Sequence, residues 1–304
     1  MGAGRFSPTD WAAYATSKSY ATKSAAAIYS TSLDPALDPK GVNRESRDSN
    51  DNPNSTPLIV CLDVSGSMHS VLEVMAKKGL PLVMTEVLAR KPIHDPHLCA
   101  MAIDDAEVGN EVPLQVTQFE ADNRIAEQLE KIYLEGGGGG NSYESYLLSW
   151  YFASRHVVTD SFEKRKKKGY LFTIGDERPT PYLRAQDILR VCGDHIQADI
   201  TAEEMLTEVS RQWEVFHLMV RDTANGQHDA ETITKQWTAL LGQRAIALTD
   251  HTMLAEVIVS TLQIVEGEDH KTVTDSWDGS TGLVVAEAIK GLVKKTSDAD
   301  LVTL

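Results

Sequence analysis

Residues 58–68 have the sequence Leu-Ile-Val-Cys-Leu-Asp-Val-Ser-Gly-Ser-Met, which carries the clearest pattern in the chain. The first five residues are all apolar, and such a run predicts a strand that is buried on both faces. Oxygen-bearing side chains then occupy alternate positions at Asp63, Ser65 and Ser67. Gly66 lets the backbone turn tightly between the serines, and a helical pattern follows at once. The stretch therefore predicts a strand, a polar turn and the start of a helix.

The polar turn offers one carboxylate and two hydroxyls as possible ligands. In open α/β proteins, a turn of this kind lies at the carboxyl edge of the sheet, where ligands bind. Oxygen ligands alone suit Mg²⁺, and also Mn²⁺ or Ca²⁺, whereas they suit Zn²⁺ poorly. Asp63, Ser65 and Ser67 are therefore candidate ligands for a hard divalent cation. The alternative is a serine-rich turn that does no more than cap the following helix.

An Asp-x-Ser-x-Ser motif directly after a buried strand resembles the metal-ion-dependent adhesion site of von Willebrand factor A (VWA) domains. The resemblance extends over about residues 56–266. It implies a doubly wound α/β fold, with a mostly parallel six-stranded sheet, helices on both faces and one antiparallel edge strand. It also implies a metal site that three loops build at one end of the sheet. An open position on the metal would accept an Asp or Glu side chain of a partner protein.

The remaining apolar patterns fit such a fold, because strands and helices alternate along the chain. Pro113 lies within a half-exposed strand pattern and indicates a position at the sheet edge. Further strands are predicted at 98–103, 112–116, 170–174, 213–220 and 245–248, and helices at 69–90, 122–134, 143–151, 180–191, 229–241 and 250–265, with a further helix that begins at Thr201. Thr201 and Glu204 have the spacing of a capping box, and Pro81 is expected to kink or split the helix at 69–90. The aromatic residues of the helix at 143–151, Tyr146 among them, are expected to pack in the core rather than to bind a cofactor.

The second metal loop of the resembled family normally supplies a threonine. Here a run of five glycines at 136–140 occupies that place, and Asn141 and Ser142 follow it. By resemblance, Asn141 or Ser142 stands in place of the threonine, since each carries an oxygen that could bind a metal directly or through water. Asn141 and Glu144 also have the spacing of a helix capping box, and this alternative stays open.

The third metal loop normally supplies an aspartate after a strand. Asp176 follows the predicted strand 170–174 and is the candidate, with Glu177 as a fallback. The resembled family more often has Asp-Gly at this point, whereas this chain has Gly175 before Asp176. The alternative is a turn aspartate that caps the next helix, which Thr180-Pro181 is expected to begin.

Composition narrows the class of protein. The net charge of −15 argues against nucleic-acid binding and against binding to anionic membranes. The three cysteines lack metal-ligand spacing and favour a reducing, cytoplasmic setting. The first residues have no apolar segment typical of a signal peptide, and no stretch approaches the roughly 18 apolar residues that span a bilayer.

Three segments are expected: an N-terminal extension at 1–55, a VWA-like domain at 56–266 and a C-terminal extension at 267–304. The N-terminal extension is predicted to hold one helix from Pro8 to about Ile28, followed by a polar loop at 31–57. It either clasps the domain or binds a partner. The basic run 164–168 is expected to be a solvated loop, or else a contact for an acidic partner or phosphate.

These patterns lead to the hypothesis of a non-enzymatic, metal-dependent interaction module that works as an adaptor or scaffold. Asp63, Ser65, Ser67, Asn141 and Asp176 would hold Mg²⁺, and a partner protein would supply an Asp or Glu ligand. Resemblance to intracellular bacterial and phage-type proteins of this class implies a component of an AAA-type ATPase system as one possible partner. Two alternatives stay open, namely a VWA-type interaction protein with a degenerate metal site and a Mg²⁺-dependent hydrolase.

Overall fold

The computed structural model describes residues 3–135 and 140–295. The strands are β1 (Arg44–Ser46), β2 (Thr56–Asp63), β3 (Pro96–Ile103), β4 (Leu114–Val116), β5 (Tyr143–Glu144), β6 (Val157–Thr159), β7 (Gly169–Gly175), β8 (Arg178–Pro179), β9 (Tyr182–Leu183), β10 (Ile200–Thr201), β11 (Trp213–Val220) and β12 (Ala245–Leu248). The α-helices are α1 (Pro8–Ser17), α2 (Ala25–Ile28), α3 (His69–Val74), α4 (Leu80–Arg90), α5 (Arg124–Leu129), α6 (Tyr146–Arg155), α7 (Asp160–Arg165), α8 (Ala185–Val191), α9 (Ala202–Val209), α10 (Ala224–His228), α11 (Ala230–Leu241), α12 (Leu254–Val265), α13 (His270–Asp275) and α14 (Gly279–Ile289).

Six strands form one sheet in the order β12-β11-β7-β2-β3-β4. All neighbouring pairs are parallel except β3 and β4, which are antiparallel, so that β4 is an antiparallel edge strand. Helices cover both faces of the sheet, and the predicted doubly wound α/β class is confirmed. Most of the predicted glycine run, at 136–139, and the end of the C-terminal extension, at 296–304, lie outside the described residues.

The apolar run in β2 shows why the sheet is covered on both faces. Side chains alternate along a strand, so neighbouring residues point to opposite layers. Leu58, Val60 and Leu62 belong to the core that includes α3, α4 and α12. Ile59 and Cys61 belong to the core that includes α6, α9 and α11. Because every position of the strand is buried, the sequence shows a continuous apolar run rather than alternation.

The order of strands reverses between β2 and β7. The chain passes from β2 to β3 and β4 on one side, and later returns to β7 on the other side of β2. Loops that leave the carboxyl ends of such neighbouring strands diverge and open a crevice, which is the usual ligand site of an open α/β sheet. Asp63 ends β2 and Asp176 directly follows β7, so both lie at this crevice.

The N-terminal extension packs against the domain, as the clasp alternative predicts. Trp11, Tyr20 and Ile28 are buried in the core that also contains α3. The Tyr29 hydroxyl donates to the carbonyl oxygen of Leu72 in α3 at 3.0 Å. The prediction of one helix from Pro8 to Ile28 was wrong, because the chain turns through a left-handed conformation at Ser19, with φ of 57°.

The predicted polar loop at 31–57 also contains structure. Arg44 is buried and donates to the carbonyl oxygens of Val116, Thr117 and Ala36. Its strand, β1, pairs in parallel with β6, which no local sequence pattern indicated. The segment 31–57, called the strap below, is therefore held against the domain together with the N-terminal helices.

The basic run at 164–168 is bound largely within the molecule. Lys164 pairs with Asp160 and Asp48, and Arg165 makes two hydrogen bonds to Asp48. Lys168 lies 3.7 Å from Glu214. The ion pairs with Asp48 attach the strap to α7, and much of the run's charge is already paired.

The prediction that Thr180-Pro181 begins a helix was wrong. The chain instead continues into β9, which pairs with β10, and α8 begins at Ala185. The carbonyl oxygen of Pro181 accepts a hydrogen bond from the backbone N–H of Ala202. Long-range pairing therefore overrides a local helix-start signal. The predicted capping box of Thr201 and Glu204 is confirmed at the start of α9.

Other helix boundaries differ from the sequence prediction. The helix expected at 122–134 is shortened to α5, and the one expected at 143 begins at Tyr146 because β5 pairs with β8. The long helix expected at 69–90 is divided by a π-helical turn at Met75–Gly79, and Pro81 lies in the first turn of α4. Proline was expected to kink or split this helix, and it occupies a position where its missing N–H costs little.

The C-terminal segment also packs on the domain. Trp277 donates its indole N–H to the Ser260 hydroxyl of α12 at 2.8 Å. Val285 and Ile289 of α14 are buried in the same core. Within residues 3–135 and 140–295, the structure has no helix that is both long and apolar enough to cross a bilayer.

We predict that Tyr29→Phe lowers the free energy of unfolding by about 1 kcal/mol, because it removes one buried hydrogen bond without changing the ring's packing. Urea denaturation in the presence of a chelator measures this change. Tyr182→Phe is the control, since the Tyr182 side chain is 44% exposed. Equal stabilities for the two variants would mean that the Tyr29 hydroxyl does not contribute to the clasp.

Candidate metal centre

The first side chain of the site, Asp63, is completely buried at the end of β2. Its Oδ1 accepts a hydrogen bond from the backbone N–H of Ser65 at 2.8 Å. Its Oδ2 accepts one from the Tyr146 hydroxyl at 3.0 Å. Each carboxylate oxygen therefore has one fixed donor, and the orientation of the carboxylate is determined by two different elements.

The two serines connect Asp63 to the third loop. The hydroxyls of Ser65 and Ser67 lie 3.2 Å apart. The Ser67 hydroxyl donates to Oδ1 of Asp176 at 3.1 Å. The structure thus brings together four of the five predicted site residues, Asp63, Ser65, Ser67 and Asp176, although 109 positions separate Ser67 from Asp176.

Both carboxyl groups have raised pKa values. Burial raises the pKa of Asp63 well above its usual value, and the nearby charge of Asp176 raises it further. Burial also raises the pKa of Asp176, while hydrogen bonds from Thr223 and Ser67 act in the opposite direction. Within the described residues, neither side chain forms a salt bridge with a Lys, Arg or His. Oδ2 of Asp176 is buried and lacks a hydrogen-bond partner there.

Further acidic groups surround this pair. Burial raises the pKa of Glu144 well above its usual value, with Asp63 and Asp104 as further causes. Burial likewise raises the pKa of Glu177 to about 7, with the charge of Asp176 as the next cause. If these carboxyl groups are ionised together, their negative charges repel one another in a partly desolvated crevice. A bound cation would offset this repulsion.

The two candidate ligands of the second loop, Asn141 and Ser142, have different surroundings. The Asn141 amide donates to Oδ2 of Asp105, which is not one of the predicted site residues. Ser142 lines the same cleft as Asp176 and has a left-handed backbone, with φ of 62°. The capping-box alternative for Asn141 was wrong, because Glu144 accepts from the backbone of Ser145 and α6 begins only at Tyr146.

A cleft of about 200 Å³ opens beside Asp176. Its lining combines polar and apolar groups from the second and third loops and from α10 and α11. The residues around it include Gly140, Ser142, Glu177, Asn225, His228 and Ile233. Asp176 belongs to the lining of this cleft, although it is almost completely buried.

The structure explains why glycine precedes Asp176. A Cβ at position 175 would lie 1.9 Å from the Tyr146 hydroxyl and 2.9 Å from Oδ2 of Asp63. Position 175 therefore has no room for a side chain while Tyr146 holds Asp63. The Gly-Asp order, which departs from the resembled family, fits this close approach.

Sequence reasoning missed several residues of the site. Tyr146 was predicted to pack in the core. Helical spacing shows that its ring faces the core, but it does not show what the hydroxyl at the end of the ring contacts. Thr223, which acts to lower the pKa of Asp176, follows strand β11 and could have been found by examining the end of every buried strand. The same rule would have found Asp104 and Asp105, which directly follow β3.

The residues present fit a hard divalent cation in chemistry and in charge. Two buried carboxylates and two hydroxyls converge, with one buried carboxylate oxygen lacking a partner. Such oxygen donors suit Mg²⁺ better than softer ions. No group of three or more His, Cys, Asp or Glu side chains in the described parts of the chain has an arrangement that could hold a metal. The candidate site therefore depends on its serine hydroxyls.

Comparison with protein-family models and with curated proteins finds no match. Among solved structures, the chain is similar to the pilus adhesin SpaC from Lactobacillus rhamnosus GG in its open conformation, with 10% identity and a TM-score of 0.44. That match covers 74% of this chain and 31% of the adhesin. A second structure of SpaC matches at 11% identity and a TM-score of 0.44, covering 74% of this chain and 32% of the adhesin. The chain thus spans about a third of the adhesin's length.

Proposed function

We propose that this protein is a non-enzymatic, divalent-metal-dependent interaction module of the VWA type, which binds an acidic side chain of a partner protein. The observation that carries the proposal is the pair of buried carboxylates, Asp63 and Asp176, which are connected through Ser65 and Ser67 and have no cationic partner in the described chain. Burying an ionised carboxylate without compensation is costly, so such a pair is expected where a cation binds.

The roles of the residues follow from their hydrogen bonds. Ser65 and Ser67 present hydroxyl oxygens between the two carboxylates and would be direct ligands. Both oxygens of Asp63 already accept hydrogen bonds, so Asp63 would contribute charge and hold water rather than bind closely. Asp176 has a free oxygen and would act directly or through water. When bound, Mg²⁺, or Mn²⁺ or Ca²⁺, would supply an electrophilic position for an incoming carboxylate.

Ser142 takes the part of the second-loop ligand in this proposal better than Asn141, because Ser142 shares the cleft with Asp176. The Asn141 amide is directed to Asp105 and would orient that buried carboxylate. The cleft beside Asp176 would admit the partner's Asp or Glu. Within the proposed site, these residues orient and bind, and none of them needs to act as a nucleophile.

The partner and the location are proposed from the resemblance and from composition. A component of an AAA-type ATPase system is one protein that could supply the acidic ligand. A cytoplasmic location agrees with three cysteines that are all buried as free thiols. Nucleic acid and anionic membranes are not expected as partners at a net charge of −15.

We predict that Ser67→Ala weakens Mg²⁺ binding by at least tenfold, because it removes a ligand and also the hydrogen bond to Asp176. Isothermal titration calorimetry of the wild type and the variant with Mg²⁺ measures this effect. Ser70→Ala is the matched control, since Ser70 is exposed on α3 three positions further along. Its affinity should equal that of the wild type. Absence of Mg²⁺, Mn²⁺ and Ca²⁺ binding in the wild type would refute the proposal.

A second candidate is a VWA-type interaction protein with a degenerate metal site. The position of Asn141 favours it, because the amide that replaces the family's threonine binds Asp105. In that case, addition of Mg²⁺ would not raise the midpoint of thermal unfolding of the wild type above that of Ser67→Ala. The Mg²⁺-dependent hydrolase has no comparable support from the site geometry.

A further inference from the structure

A buried aromatic cluster lies beneath the candidate metal site. The rings of His217 and Trp237 stack with centroids 3.6 Å apart and an angle of 9° between their planes. Tyr146 packs edge-on against both, with ring centroids 4.9 Å from His217 and 5.3 Å from Trp237. Side chains from α6, β11 and α11 therefore meet in one fully buried group, called the aromatic cluster below.

Two polar groups of the aromatic cluster donate hydrogen bonds to two different metal loops. The Tyr146 hydroxyl donates to Oδ2 of Asp63 in the first loop at 3.0 Å. The indole N–H of Trp237 donates to the carbonyl oxygen of Glu177 at 3.0 Å, and Glu177 directly follows Asp176 in the third loop. Each loop is thus attached to the same rigid body by one hydrogen bond.

His217 fixes the cluster to the sheet. It lies opposite Thr173 in the register between β11 and β7, and its Nδ1 is 2.9 Å from the Thr173 hydroxyl. Burial lowers the pKa of His217 well below its usual value, so the ring is neutral and brings no charge near the carboxylates. Two residues further along β7 lies Gly175, whose missing side chain makes room for the Tyr146 hydroxyl.

We infer that Tyr146 and Trp237 are positioning residues, which set the distance between the first and third metal loops through their contact in the aromatic cluster. This inference rests on the proposed function. Metal affinity depends on ligands that are already held at the right separation, and partners behind the ligands typically contribute 10- to 100-fold in affinity. Core packing alone would not require that both polar atoms point to the two metal loops.

The test measures Mn²⁺ binding by electron paramagnetic resonance in wild type, Tyr146→Phe and Trp237→Phe. Each variant removes one donor and keeps an aromatic ring. We expect about tenfold weaker binding in each. The spectrum of the bound ion should also broaden, because a ligand set with variable spacing gives a range of coordination geometries. A loss of stability alone would leave both the affinity of the folded protein and this line width unchanged.

Two matched controls separate positioning from packing. Tyr151→Phe removes a hydroxyl from the same helix, one that donates to Asp194. Trp213→Phe removes an indole N–H that donates to the Ala153 carbonyl oxygen. Both lie away from the metal loops and should bind Mn²⁺ within twofold of wild type, even where urea denaturation in a chelator shows lower stability.

The outcomes distinguish this inference from the function on which it rests. If the wild type, Tyr146→Phe and Trp237→Phe all bind Mn²⁺ equally well, the inference is overturned but the proposed function stands. A wild type that binds no Mn²⁺ overturns both. Weakened binding in the two variants, with unchanged binding in the two controls, supports the aromatic cluster as the positioning element.

Discussion

Asp63→Asn is expected to make the metal-free protein more stable at neutral pH, by about 2–3 kcal/mol in the free energy of unfolding. Asp63 is completely buried and its pKa is raised by burial and by Asp176, so its ionised form opposes folding. Asparagine has nearly the same shape and no charge, and its oxygen can still accept from the Ser65 backbone. Its amide N–H₂ then faces the Tyr146 hydroxyl, which would accept a hydrogen bond instead of donating one. Urea denaturation in a chelator at pH 7 measures the difference.

The same charges predict how stability changes with pH. The folded-state pKa values of Asp63 and Asp176 are raised, so the folded protein keeps protons that the unfolded chain has lost. The metal-free wild type should therefore lose stability as pH rises from the usual carboxyl pKa of 3.8 through the raised values. Glu177, whose pKa is raised to about 7, extends this loss towards neutral pH. Asp63→Asn should show a shallower loss than the wild type.

Asp48→Asn is the matched control of opposite sign. Burial tends to raise the pKa of Asp48, but hydrogen bonds from Arg165 and Ser55 hold it well below the usual value. The charge of Asp48 therefore stabilises the folded state, and its removal should lower stability at pH 7. If Asp63→Asn also lowered the stability of the metal-free protein, the view of Asp63 as an uncompensated charge would be wrong.

Mg²⁺ should reverse the order of stability between wild type and Asp63→Asn. A ligand that binds only the folded state adds stability that grows with its concentration. The wild type should gain from millimolar Mg²⁺, whereas the variant, which lacks one of the two buried charges, should gain little. The same denaturation experiment with and without Mg²⁺ therefore tests both the charge and the proposed site.

Gly175→Ala is expected to have the second large effect, a loss of about 3 kcal/mol in stability together with loss of metal binding. The new Cβ would lie 1.9 Å from the Tyr146 hydroxyl and 2.9 Å from Oδ2 of Asp63. Tyr146 is completely buried within the aromatic cluster, so it cannot move away without disturbing its neighbours. Thermal unfolding and Mg²⁺ calorimetry measure the two losses.

Gly291→Ala is the control for this substitution. A Cβ at position 291 would meet no atom within 4 Å, and the residue lies after α14, away from the metal loops. It should leave stability nearly unchanged and Mg²⁺ binding equal to that of the wild type. Normal Mg²⁺ binding by Gly175→Ala would show that the close approach of Tyr146 and Asp63 is not needed for the site.

Sequence patterns predicted the parts of this protein that depend on neighbours along the chain. The continuous apolar run at 58–62 predicted a buried strand, and the structure has β2 there. Pro113 indicated an edge position, and β4 pairs antiparallel at the sheet edge. Thr201 and Glu204 predicted a capping box, which is present. In each case the chemistry of a few adjacent residues is sufficient to determine the local conformation.

The same local reasoning failed where distant segments compete. Thr180-Pro181 has the pattern of a helix start, but pairing of β9 with β10 takes precedence. Tyr143 was placed in a helix, but it pairs with Arg178 across β5 and β8. Hydrogen bonds between segments that are far apart in sequence can outweigh a helix propensity of only a fraction of a kcal/mol per residue.

The sequence by itself determined the alternation of strands and helices and which oxygens end the buried strands, because both follow from local periodicity and residue chemistry. Only the tertiary structure decided which of those oxygens meet: Ser67 reaches Asp176, while Asn141 reaches Asp105. It also decided that Tyr146 holds Asp63 rather than only filling the core. The physical reason is that contacts across a sheet edge depend on strand order and register, which no single stretch of sequence contains.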